Sequence, residues 1–123
     1  MANPNIVGVT SILAATSYLI PSNTSATPWT ALTPNSNSIN KIAYITAANV
    51  TSANATVTVS INSAIAGGGT AYRLINQATV PPNSSLIISD KITSIYVGES
   101  QSIVVTVSTG NAIELVASYE TLT

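Results

Sequence analysis

Two stretches near the end of the chain alternate with a period of two. Ile103, Val105 and Val107 fall on one side, and Ser102, Val104, Thr106 and Ser108 on the other. Ile113, Leu115, Ala117 and Tyr119 then alternate with Glu114, Val116, Ser118 and Glu120. Successive side chains of a strand point to opposite faces, so both runs predict half-buried strands that need a second layer to cover their apolar side. Between them stands Thr109-Gly110-Asn111. Gly and Asn tolerate a positive φ, so this connection predicts a β-hairpin.

Upstream segments extend the pattern. Ser84–Ser89 is a short apolar run entered from Pro81-Pro82, which cannot donate ladder hydrogen bonds and so belong to a loop or strand edge. Asp90-Lys91 is a turn, Thr93–Val97 a strand and Gly98–Gln101 the next turn. Ile39–Val50 reads as a long strand with Ile42, Tyr44, Thr46, Ala48 and Val50 on one face and Ala43, Ile45, Ala47 and Asn49 on the other. Val57, Val59 and Ile61 alternate with Thr56, Thr58, Ser60 and Asn62. Gly67-Gly68-Gly69 is a flexible loop, followed by strands at Thr70–Ile75 and Gln77–Val80. Thr27–Thr33 reads as a short strand. Ile6–Ile20 reads as a strand with a bulge near Ala14-Ala15, and a helix over Ser11–Leu19 competes because Ala and Leu favour it. Eight to ten short strands at regular spacing predict an all-β chain: an antiparallel β-sandwich, either jelly-roll or immunoglobulin-like. The expected organisation is an N-terminal arm over 1–5 and a single domain over 6–123. A chain of 123 residues buries roughly two-thirds of its unfolded surface.

The surface chemistry is unusual. Three cations and four acids are the only charges: Lys41, Arg73 and Lys91, against Asp90, Glu99, Glu114 and Glu120. Ordinary domains carry about a quarter of their residues as charges. The polar surface must therefore come from Ser, Thr and Asn, which hydrogen-bond and give little repulsion between copies. That composition favours a surface covered by neighbours in an assembly over a free monomer. Three cations build no basic patch, which speaks against nucleic acid as a partner. The longest apolar-leaning run, Ile6–Ile20, is broken by Gly, Thr and Ser and falls short of a membrane span. The opening residues lack the positive start of a signal peptide.

Chemistry is scarce. There is no His and no Cys, so Ser-His, Cys-His and thiolate-metal arrangements cannot be built. A pair of carboxylates could serve a glycosidase. However, Asp90 and Glu99 sit in predicted turns, and Glu114 and Glu120 on a solvent-directed face, where charges more often guard strand edges. Gly67–Gly69 lacks the Lys-Ser/Thr and helix start of a phosphate loop. Asn-x-Ser/Thr occurs at Asn23, Asn49, Asn54 and Asn83, as expected by chance in a chain so rich in these residues. No catalytic, cofactor or metal residue is expected, and no enzyme activity. Tyr44 and Tyr119 share faces with apolar neighbours and are expected in the core. Trp29, between two polar loops, is the interface candidate. Arg73, the single arginine, is a candidate partner for an acid within the domain or across an interface. Asn3, Pro4 and Asn5 of the arm are further candidate contacts.

The opening MANPNIVGVTSIL, the segments INKIAYITAAN and GTAYRLINQATVPPNSSLIIS, and the ending DKITSIYVGESQSIVVTVSTGNAIELVASYET occur in that order. This set resembles small virion structural proteins of contractile-tailed cyanophages and related marine tailed phages. The likeness spans nearly the whole chain. The segment Ser22–Asn37, with its prolines and Trp29, departs from it. The resemblance implies a non-enzymatic virion component, with no site residue to carry over. Three roles compete. The first is a capsid decoration or cement protein, a homo-oligomer such as a trimer bound in many copies to the major capsid protein. The second is a ring or adaptor subunit of tail, neck or fibre. The third is a carbohydrate-binding module contacting the host surface through Trp29. The expected location is the virion, capsid ahead of tail, after assembly in the host bacterial cytoplasm.

Overall fold

A computed structural model describes residues 8–34, 36–90 and 92–123. Nine strands follow one another among these residues: β1 (Ile12–Leu19), β2 (Thr27–Pro28), β3 (Ile39–Asn49), β4 (Ala55–Asn62), β5 (Ala71–Val80), β6 (Ser85–Ser89), β7 (Ile95–Val97), β8 (Ser102–Val107) and β9 (Ile113–Leu122). They form two antiparallel sheets. One runs β1-β9-β3-β6, with β7 continuing β6 along the same edge of β3, and the other runs β2-β8-β4-β5. The expected all-β sandwich is the fold.

The pairings are nested. β4 pairs β5, β3 pairs β6 and β7, β2 pairs β8, and β1 pairs β9. The chain is therefore one long antiparallel ribbon whose tip lies between β4 and β5, rolled so that successive pairs fall in alternate sheets. Of the two sandwich topologies expected, this strand order is that of the jelly roll. It also corrects the expected hairpin. Thr109-Gly110-Asn111 does not join paired strands, because β8 lies in one sheet and β9 in the other. The turn residues are used as foreseen, with Asn111 at φ 60° and its N–H donating to Pro21 O at 2.8 Å. A positive-φ turn serves an arch between sheets as well as a hairpin, and only long-range pairing decides which forms.

The core is filled from both sheets. Ile103, Val105 and Val107 of β8 and Val57 and Val59 of β4 face Ile113, Leu115 and Ala117 of β9 and Ile42, Ile45 and Ala47 of β3. The β8 and β9 alternation holds as expected. In β3 it does not. The register with β9 shifts between Ile42 and Tyr44, so a bulge at Ala43 lets Ile42 and Ile45 both face inward. Tyr44, expected in the core, is turned outward and 38% exposed. Tyr119 packs against the core as expected.

Three other local expectations change. β1 is the expected strand, but its register with β9 is unbroken, so it carries no bulge at Ala14-Ala15. The two strands expected over Thr70–Val80 are one strand, β5, kinked at Gln77 (φ 49°), whose N–H donates to Thr58 Oγ1. Only Thr27–Pro28 of the expected Thr27–Thr33 strand pairs as a strand; Thr30–Leu32 is a 3-10 turn. Residues three apart eclipse in such a turn. Trp29 and Leu32 therefore point the same way, and both enter the core. Buried amides tie the loops to this frame. Asn49 donates to Ala53 O and Val80 O and accepts from Thr51 N and Thr51 Oγ1. Asn40 donates to Leu32 O and accepts from Thr121 Oγ1.

Candidate functional site: the outward face of the β3–β9 sheet

The two sheets present different outer surfaces. β4 sends Thr56, Thr58, Ser60 and Asn62 outward, and β8 sends Ser102, Val104 and Thr106. Much of this face is covered by the ribbon's own tip. Ile65–Gly67 folds over it, with Asn62 Nδ2 donating to Gly67 O (2.9 Å), Gly67 N to Ser102 Oγ (3.0 Å), and Ser102 Oγ to Ala64 O (2.7 Å). Gly67 packs closely here, since a Cβ on it would meet Pro28 and Val104.

The β3–β9 sheet presents larger side chains. Cross-strand partners share a face, so the register gives its rows directly. One row is Tyr18–Val116–Thr46–Ile87, and the next is Thr16–Ser118–Tyr44. A third is Ala14–Glu120–Lys41–Tyr96. Tyr18 is 73% exposed, and Ile87 and Tyr96 also stand in solvent. Lys41 and Glu120 lie directly opposite one another in the register. A shallow depression of about 320 Å³ opens between the rows, lined by Ala14, Thr16, Ala43, Ser118 and Glu120. Aromatic and aliphatic groups with few charges are the composition of protein interfaces.

A larger groove, about 560 Å³, lies where loops gather at one end of the sandwich, lined by Thr30, Thr33, Pro34, Ile65 and Glu99. Glu99 is its only acid, and Glu99 Oε2 accepts Asn37 N–H at 2.7 Å. The carboxylate organises the loop. Asp90 does the same at the β6–β7 connection. Its Oδ1 accepts from Ile92 N, Thr93 N and Thr93 Oγ1, and bonding to the Thr93 backbone holds its carboxyl below the ordinary value of 3.8. Among the described residues, no three His, Cys, Asp or Glu side chains gather as metal ligands. No helix among them is long and apolar enough to cross a membrane.

The residues singled out from the sequence are not brought together. Trp29 is 2% exposed, and its indole N–H donates to Ser17 Oγ at 3.0 Å on the inner side of β1. It is a core residue, so as an interface or sugar-stacking candidate it is corrected: the 3-10 turn carries it inward from a polar stretch. Arg73 is exposed on β5, opposite Ser60, in the other sheet from the tyrosine rows. Asn3, Pro4 and Asn5, with the rest of the expected arm, lie outside the described residues. Sequence reasoning missed Tyr18, Tyr44, Tyr96 and Ile87 as a group. Tyr18 shares the alternation of Ala14 and Thr16, but its placement beside Val116 depends on pairing across the whole chain length. No protein-family model matches the chain, and no curated protein matches it.

Proposed function

We propose that this chain is a non-enzymatic structural protein of a phage virion, a capsid decoration subunit bound in many copies to the outer shell. The observation that carries this reading is the outward face of the β3–β9 sheet. Tyrosines and aliphatic side chains stand exposed there on a chain with very few charges. Such a face is suited to being covered, and a low charge lets many copies crowd on one surface. The resemblance to small virion proteins supports the setting. Its partners are further copies of itself and the major capsid protein; nucleic acid and membrane have no part in it. Each contact can be weak, because many copies bind one shell.

A place in the tail, neck or a fibre is the competing role for the same sandwich. Cryo-electron microscopy of the intact particle separates the two. Density for this fold in many symmetric copies on the capsid, with Tyr44 and Tyr96 against the shell, is the expected result. Density confined to the tail axis or one vertex moves the protein to a ring or adaptor, and absence from the particle removes the virion role.

A further inference from the structure

Each sheet of a sandwich has two edges, and an edge strand offers unpaired backbone groups to any other strand. Three of the four edges here are blunted. β2 has two residues, one of them Pro28. β5 is kinked at Gln77, shifts register twice against β4, and carries Arg73. The β6–β7 edge is interrupted between Ser89 and Ile95, where Asp90 organises a turn. Among the described residues, β1 has none of these devices. Its eight residues, ILAATSYL, contain no charge, no Pro and no Gly, and pair with β9 without a shift. Leu13 is 66% and Ile12 55% exposed.

The open groups on β1 can be identified. Ser11 and Thr123 exchange backbone hydrogen bonds in both directions. Such pairs alternate along an antiparallel ladder. Leu13, Ala15, Ser17 and Leu19 therefore bond to β9, while Ile12, Ala14, Thr16 and Tyr18 turn their N–H and C=O groups to the open side.

We infer that β1 pairs with β1 of a second copy of this chain, antiparallel about a two-fold axis through Ala15. In this register the four open residues of each copy meet the four of the other. Ile12 lies opposite Tyr18 of the second copy, and Ala14 opposite Thr16. Large side chains meet large and small meet small, on both sides of the axis. Every open group in the strand is satisfied, two per residue, which gives eight backbone hydrogen bonds; a typical interface has about ten direct bonds. Sliding one copy by two residues, the smallest shift that keeps open residues opposite open ones, strands open groups at the ends. The occupant is a copy rather than a charged partner, because β1 carries no charge to attract one and a copy meets no repulsion. A two-fold pair is self-complementary and closed, so it ends at a dimer. The pairing joins two sheets into one, and brings the two rows of exposed tyrosines onto a continuous surface. It does not depend on the virion role, which particle localisation tests separately.

The test is the association state of the full chain in solution, with cysteines as register probes. Sedimentation equilibrium should show a monomer–dimer equilibrium. Ala14→Pro removes an open N–H that β9 does not use, and should weaken the dimer at least about tenfold; thermal unfolding checks that the monomer still folds. The chain has no cysteine of its own. Ala15→Cys places two thiols across the axis in a non-hydrogen-bonded pair, where Cα atoms approach to about 4.5 Å. It should form a disulfide-linked dimer on mild oxidation at least about tenfold faster than Leu13→Cys, whose two thiols lie well apart in this register. A chain that stays monomeric, a trimer or larger closed ring, or cross-linking no faster at position 15 than at position 13 would each overturn the inference.

Discussion

On the β4–β8 sheet the outward side chains Ser60, Asn62 and Ser102 are buried beneath the turn at Ile65–Gly67, whereas on the β3–β9 sheet Tyr18, Tyr44 and Tyr96 stand in solvent. The same jelly roll thus covers the β4–β8 part of one face with its own chain, with Arg73 and Thr79 of β5 exposed at its edge, and leaves the other face to the surroundings. The chemistry of the two faces follows. A polar face can be covered by a loop if each hydroxyl and amide finds a partner, and Asn62 and Ser102 do. A face of tyrosines and aliphatics gains most from a broad, dry contact, which no short loop of this chain supplies. The lesson is that an outward polar side chain in a sandwich can be structural, while an outward aromatic one can be free.

Substitutions can break this contrast or make it sharper. The largest effect should come from beneath both faces. Trp29→Ala empties the core and leaves Ser17 Oγ without its donor, and should cost about 3–5 kcal/mol by urea denaturation. A loss under 1 kcal/mol would mean that Trp29 is not a core residue. Next is the covered face. Ser102→Ala strands Gly67 N–H and Ala64 C=O, so it should cost about 2 kcal/mol and speed hydrogen exchange at Gly67. On the open face, Tyr44→Ser with Tyr96→Ser should change monomer stability by less than about 0.5 kcal/mol each, yet abolish binding to the particle. If these tyrosines instead stabilised the monomer as Ser102 does, the contrast between the faces would fail.

The smallest effect is that of Asp90, whose carboxylate stands in solvent at the edge of the open sheet. Its folded-state pKa lies below the ordinary 3.8 because it accepts hydrogen bonds from Thr93 and Ile92. The stabilisation is therefore fully present above the unfolded-state value, and is lost as pH falls through the folded one. Asp90→Asn keeps an oxygen acceptor but removes the titration. Its stability should fall less steeply than that of the parent protein in acid, measured by denaturation midpoints on either side of pH 3.8.

Much of the fold was legible in the sequence. The alternation at Ile103–Val107 and Ile113–Tyr119 determined two strands and which residues of each face the core, because a strand displays its neighbours on opposite faces whatever it pairs with; that the other face of β8 is buried too, under Ile65–Gly67, was decided by the fold. The turn residues at Asn111 and Gly67–Gly69 marked chain reversals, because φ preference is local. The shortage of charge determined that the surface would be Ser, Thr and Asn. Asn49 shows where such reading stops. Its sequence context suggested only a chance glycosylation signal, yet its buried amide ties three segments together. Tertiary structure alone decided that the turn at Gly110 is an arch between sheets. It also decided that a bulge at Ala43 puts Tyr44 outside, that a 3-10 turn puts Trp29 inside, and that Tyr18, Tyr44 and Tyr96 share one face. The physical reason is common to all four. Which strand lies beside which, and in what register, is set by contacts between residues far apart in the chain, and a nested ribbon places its first strand against its last. Local preference fixes how each segment is built, and only the closure of the ribbon fixes what it meets.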